Sequence, residues 1–162
     1  MEKEKELLRL LSQNARYSVE ELAAMLDLTP QEVSSLIEDL ERRRVILGYR
    51  ALIDWRKVGE EKVTAFIEVK VTPQREVGFD AVAKRIARFP EVKNIRLVSG
   101  TYDLAVEVEG RRLEEVASFV ATRLAPMEGV VSTTTHFMLK PYKIDGELVE
   151  DVEEVQRLVV SP

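Results

Sequence analysis

The chain has no cysteine and a single histidine among its 162 residues. Without cysteine there is no disulfide, no thiolate metal site and no cysteine nucleophile. One histidine, His136, makes a zinc site or a Ser-His-Asp triad a poor reading and a plain strand residue the better one. No run of 18 apolar residues occurs, so no membrane span is expected. The opening Met1-Glu2-Lys3-Glu4-Lys5-Glu6 is charged where a secretory leader would be apolar, and a cytoplasmic location is expected. Positive charge is not in excess either. The formal net charge is −5, and residues 1–56 hold nine Lys/Arg against eleven Asp/Glu, a net of −2. Any nucleic-acid surface must therefore be local, because phosphate contacts need cations. The sequence also lacks a phosphate-binding glycine loop and a clustered carboxylate site, so neither an enzyme nor a cofactor is expected. What is present is 45% hydrophobic residues, enough for two small cores at this length.

Two helix-start signatures stand eleven residues apart. Ser18-Val19-Glu20-Glu21 and Thr29-Pro30-Gln31-Glu32 each place a hydroxyl at an N-cap and a carboxylate three residues later, the reciprocal capping box. Pro30 sits at the first helical position, where no amide hydrogen is needed. Asp27-Leu28 makes the tight turn between the helices. Leu7, Leu8, Leu10 and Leu11 add a helix over residues 3–13. Leu22, Ala23 and Leu26, and then Val33, Leu36, Ile37 and Leu40, line the inner faces of the next two. Three short helices around one core, two of them closely coupled, read as a helix-turn-helix whose last helix can enter the DNA major groove. Residues 45–53, on either side of Gly48, read as the two short strands of a wing. The first domain is thus placed at 1–54 and a polar linker, containing Trp55 and Gly59, at 55–62.

The rhythm then changes. Ala65, Ile67, Val69 and Val71 alternate with Thr64, Glu68 and Lys70 as a strand over 63–72, ended by Pro73. Phe79, Val82, Ala83 and Ile86 mark a helix over 78–89, stopped by Pro90. Strands follow at 92–99 and 102–109, joined at Gly100-Thr101, where glycine is expected to supply a positive φ. Leu113, Val116, Ala117, Val120 and Leu124 place a helix over 112–124. Met127-Glu128-Gly129 turns into a last strand at 130–140. The order β-α-β-β-α-β is ferredoxin-like, an α+β domain over 63–140. Its helices cover one sheet face. The other, with Phe66, Val98, Ala105 and Met138, is left partly apolar, as an association surface would be. A tail over 141–162, with Leu148, Val149, Val152, Val155, Leu158 and Val159, reads as a docking segment.

With these elements in order, the chain resembles the Lrp/AsnC (feast/famine) transcriptional regulators. The marks are Asn14-Ala15-Arg16, Leu28-Thr29-Pro30, Leu40-Glu41, Val45-Ile46-Leu47-Gly48-Tyr49, Ile53-Asp54, Val98-Ser99-Gly100-Thr101-Tyr102-Asp103-Leu104, Gly129-Val130 and Thr133-Thr134-Thr135. Their order and spacing from residue 3 to about 140, rather than any single motif, carry the likeness. The resemblance implies a winged helix-turn-helix, a ferredoxin-like effector domain, dimers formed through the sheets, often octamers, and a response to an amino acid. It also implies that Gly100, Thr101, Tyr102 and Asp103 form one side of a small-molecule site between subunits. Thr133 and Thr135 correspond to paired threonines of the family; ordinary strand filling is the competing reading.

On the third helix the candidate DNA contacts are Thr29, Gln31, Ser34 and Ser35. Gln reads adenine edges, and Ser accommodates several bases. Arg42, Arg43 and Arg50 are candidate phosphate contacts, although an arginine run at a helix C-terminus is also favourable simply through the dipole. The sequence departs from the family here. Ser34, Ser35 and Leu36 stand where members usually carry arginine, Glu38 and Asp39 add negative charge, and Arg44 replaces a common glycine. The expected function is a DNA-binding regulator of double-stranded DNA that responds to a small effector. The alternative is an oligomeric ligand-binding protein that has lost strong DNA binding.

Overall fold

The computed structural model describes residues 2–60, 62–72 and 78–149. The chain divides into two compact units, Met1–Leu52 and Ile53–Pro162. In the first, α1 (Glu2–Gln13), α2 (Val19–Leu26) and α3 (Pro30–Arg42) enclose a core of Leu7, Leu22, Ala23, Leu26, Val33 and Leu40. Leu36 and Ile37 pack against it from the flank of α3. Both capping boxes form. The Ser18 hydroxyl accepts from the Glu21 amide while Glu21 accepts from the Ser18 amide, and Thr29 and Glu32 repeat the exchange. Asp27 closes α2 in the left-handed conformation, at φ 55°, and so sets the turn into α3.

The segment after α3 departs from the expected wing. Residues 45–53 pair in no strand, and Val45, Leu47, Tyr49, Leu52 and Ile53 are exposed. A lone two-stranded hairpin is marginal in water unless a third strand or a packed face supports it. The segment is tied down instead by the Tyr49 hydroxyl, which donates to Glu41 at 3.0 Å. Burial raises the Tyr49 pKa above its ordinary value, and the bond to Glu41 adds to the effect.

The second unit opens with a 3-10 turn, Trp55–Val58, within the stretch expected as a linker. Lys62 lies 4.7 Å above the Trp55 ring and pairs with Glu109 at 2.8 Å. Then come β1 (Val63–Val71), α4 (Asp80–Ile86), β2 (Val92–Leu97), β3 (Leu104–Gly110), α5 (Leu113–Phe119), a π turn (Val120–Leu124) and β4 (Val130–Phe137). All sheet pairs are antiparallel, in the order β2-β3-β1-β4. Ala65, Ile67, Val69, Val71, Leu104, Val106 and Val108 meet Val82, Ile86, Val116, Phe119 and Leu124 in one core.

Two sequence expectations shift here. Leu113 and Ala117 are exposed, and Phe119 is buried in their place. At the α-helical period the buried stripe of α5 runs through Val116 and Phe119 and leaves Leu113 and Ala117 outside it; the π turn that follows, with an i→i+5 bond from Ala125 N–H to the Val120 carbonyl at 2.8 Å, keeps Leu124 on the buried side. In addition, residues 98–103 form a six-residue connection, and Gly100 does not have a positive φ. A final small hairpin pairs β5 (Lys143–Ile144) with β6 (Glu147–Leu148). The expected docking residues Val152, Val155, Leu158 and Val159 lie outside the described residues.

Candidate DNA and effector interfaces

The outward face of α3 follows directly from its inner one. With Val33 and Leu40 buried, the helical period places Gln31, Ser35, Glu38 and Arg42 in one exposed stripe, and Ser34 at its half-buried shoulder. Thr29 is committed to the cap, where its hydroxyl accepts from the Glu32 amide and donates to the Glu32 carboxylate.

The arginines separate into two kinds. Arg43 is held by Glu4 of α1 and by Asp39 at 3.0 Å, and both carboxylates raise its pKa, Glu4 the more. Its pair with Glu4 joins α1 to the end of α3, while the side chain stays about half exposed, at 47%. Arg42 also pairs with Asp39, but it remains 76% exposed and can turn outward. Arg50 is exposed and has no ion pair among the described residues. Arg44 is exposed too, at the left-handed φ of 58° directly after α3, which is the position where helices commonly end on glycine.

In the second unit the connection 98–103 lies at one end of the sheet. Asp103 fastens it there. Its amide donates to the Val69 carbonyl at 3.1 Å, its carbonyl accepts from the Val98 amide at 2.9 Å, and its carboxylate accepts from the Val71 amide at 2.9 Å. Asp103 is thus a structural clamp on β1 as well as a member of the expected site. The amides of Ser99, Gly100, Thr101 and Tyr102 meet no acceptor among the described residues. A Cβ on Gly100 would meet no atom within 4 Å. The Tyr102 ring leans edge-on toward Phe66, centroids 6.1 Å apart.

Thr133 and Thr135 do not join Tyr102 within this chain. They stand opposite Val69 and Ile67, whose side chains enter the core, so the two threonines face the helix-covered side. Phe66 and His136 point the other way, with the rings 6.1 Å apart. β1 also lies between the connection and β4, which puts Asp103 and Thr133 about two strand spacings, roughly 9–10 Å, apart.

The open sheet face carries Phe66, Glu68, Tyr102, Ala105, Glu107 and His136. His136 Nε2 lies 3.3 Å from Glu68 Oε1, a contact that only the strand register reveals. Two concave spaces of this unit lie elsewhere. One, of about 220 Å³, is bounded by Glu91, Val108, Glu109, Gly110, Glu115, Val116 and Phe119. Neither it nor the second, on the outside of α5, reaches residues 100–103. No helix among the described residues is long and apolar enough to cross a membrane.

A capped helix-turn-helix and a helix-backed antiparallel sheet together have the architecture of a two-domain protein whose first unit has a DNA-binding fold. Comparison with known proteins specifies its family. Residues 2–41 match the AsnC-type helix-turn-helix domain and residues 64–148 the Lrp/AsnC ligand binding domain. YugG of Bacillus subtilis, an uncharacterized HTH-type transcriptional regulator, is 51% identical over 162 residues, 99% of this chain and 98% of its own. An uncharacterized HTH-type transcriptional regulator of Pyrococcus horikoshii is 30% identical over 132 residues, 82% of this chain and 81% of its own. A Neisseria meningitidis transcriptional regulator solved as an L-Met complex shares the fold, with TM-score 0.68, 23% identity and coverage of 89% and 92%. The chain belongs to the Lrp/AsnC family of transcriptional regulators.

Proposed function

We propose that this regulator binds operator DNA through α3 and changes that binding when an amino acid occupies a site between subunits. The observation that carries the DNA half is the stripe on α3, polar along its length and held rigid by a complete capping box. In this reading Gln31, Ser34 and Ser35 face base edges, Thr29 fixes the start of the helix, and Arg42 and Arg50 bind phosphates. Arg43 contributes through the packing of α1.

The effector half is supported by the ligand-binding-domain match and by the amides of residues 99–102, which suit a carboxylate. Gly100, Thr101, Tyr102 and Asp103 supply one wall. The separation of that wall from Thr133 and Thr135 argues that one small ligand touching both draws them from different subunits. The L-Met complex of the Neisseria relative is consistent with an amino-acid ligand. The open face around Phe66 is the natural dimer surface, since an exposed apolar face is stabilised by covering it with a second copy. Octamers are the further assembly that the family resemblance implies.

The test is affinity of the full chain for its own upstream DNA against a scrambled duplex, titrated in salt, with and without pooled amino acids. Specific binding that shifts with the pool supports both halves. The Gly100→Val variant should then keep DNA binding and lose the shift, since its added side chain meets nothing inside the chain. An unchanged shift removes this loop from the site. A second reading, an oligomeric ligand-binding protein without strong DNA binding, is favoured by one observation, the carboxylate of Glu38 in the middle of the stripe. Failure to bind DNA at low salt would select it.

A further inference from the structure

Four carboxylates lie on α3, and three are engaged within the unit. Glu32 completes the capping box, Asp39 holds Arg42 and Arg43, and Glu41 accepts from Tyr49. Glu38 is the exception. It is exposed, lies between Ser35 and Arg42 on the outward stripe, and has no ion pair or hydrogen bond among the described residues. On an ordinary solvated face this would mean nothing, but this stripe is the one that the helix-turn-helix presents to DNA. A carboxylate brought among phosphates is repelled unless a donor receives it.

From these observations we infer that Glu38 is a base-reading residue and that it selects cytosine. The inference rests on the proposal that α3 is the DNA-reading helix. Cytosine presents its N4 amino group in the major groove with no acceptor of its own beside it, whereas adenine sets the N7 lone pair next to its amino group, and guanine offers only acceptors. An ionised carboxylate is therefore satisfied best by cytosine. The reach also fits. Gln31 and Glu38 are seven residues apart, about 10 Å along the helix axis, which matches about three base-pair steps at 3.4 Å each. The same seven-residue span carries the base contacts of homeodomain recognition helices. Gln31 and Glu38 would thus read an adenine and a cytosine within one short half-site, with Ser35 between them.

The experiment is selection of bound duplexes from a randomised pool by the full wild-type chain, by Glu38→Ala and by Glu38→Gln. Equilibrium titration then follows on the selected duplex with each of the four base pairs at the position in question. Because Glu38 is exposed and unpartnered, neither substitution removes a contact that the fold uses. The wild type should enrich cytosine at one position and bind about tenfold more weakly when it is replaced, within the range a base contact confers. Glu38→Ala should flatten the preference at that position alone. Glu38→Gln should move it toward adenine, which a carboxamide reads in bidentate fashion. If the wild type selects a site and both variants select the same one, the inference is overturned, and a uniform gain in affinity would show that Glu38 only repels phosphate. If the wild type selects no site, the DNA-reading role of α3 and the inference fail together.

Discussion

At the scale of single residues, the structure distinguishes arginines that look equivalent in the run Arg42-Arg43-Arg44. Arg43 is paired with both Glu4 and Asp39, while Arg42 stays largely in solvent. Replacing Arg42 and Arg50 together with alanine should lower DNA affinity across sequences and reduce the salt slope by about two, one for each phosphate that is no longer neutralised. Arg43→Ala should instead leave the slope unchanged and lower the unfolding midpoint. Fluorescence anisotropy across a salt series and urea titration separate the two effects; equal slopes for all three proteins would place the phosphate contacts elsewhere. Arg44 carries a different cost. Its left-handed backbone strains any residue with a Cβ, and glycine relieves the strain at some cost in chain entropy. Arg44→Gly should therefore stabilise the helix-turn-helix by about 0.5–1 kcal/mol, read as a higher urea midpoint. A lower midpoint would mean that the Arg44 side chain makes a contact of its own. The sequence marked Arg44 as a departure from the family's glycine; only the backbone angle shows why that departure has an energetic consequence.

At the scale of elements, the capping box on α3 couples helix stability to pH. Hydrogen bonds from the Thr29 amide and then the Thr29 hydroxyl hold the Glu32 carboxyl below its ordinary value of 4.5. Folding thus favours the ionised form. Its contribution is complete above the unfolded value of 4.5 and fades as pH falls through the lower folded value. Glu32→Gln should be less stable than the wild type at neutral pH, and the gap should close as the pH falls below the lowered folded value; circular dichroism melts from neutral pH into acid check it. A gap that persists in acid would assign the effect to something other than the charge. The caps were legible because they depend on residues three apart. The wing and the second helix of the sheet domain were not. Strand pairing for residues 45–53 needs a partner that local alternation cannot supply. In α5 the apolar residues fit more than one stripe at the 3.6-residue period, and packing against the sheet selects Val116 and Phe119 over Leu113 and Ala117.

At the scale of the whole molecule, assembly is expected to depend on the open sheet face, the proposed dimer surface. Phe66→Glu puts a carboxylate in the centre of that face without touching the helix-side core, because Phe66 points opposite to Ala65 and Ile67. The variant should retain its far-ultraviolet spectrum and sediment as a smaller species than the wild type; an unchanged mass would locate the subunit contact on another surface. The sequence by itself determined the three helices and their caps, the order of strands and helices, the alternation that separates the two sheet faces, and the family. All of these are written in contacts between residues three, four or two apart, or in the residue order itself. Only tertiary structure decided which charges pair across elements, as Glu4 pairs with Arg43 from 39 positions away. It also showed that Thr133 and Thr135 lie across β1 from Asp103, on the sheet face away from Tyr102. Register and strand order, which bring distant residues together, arise from packing the second unit around its own core, and no local spacing encodes them.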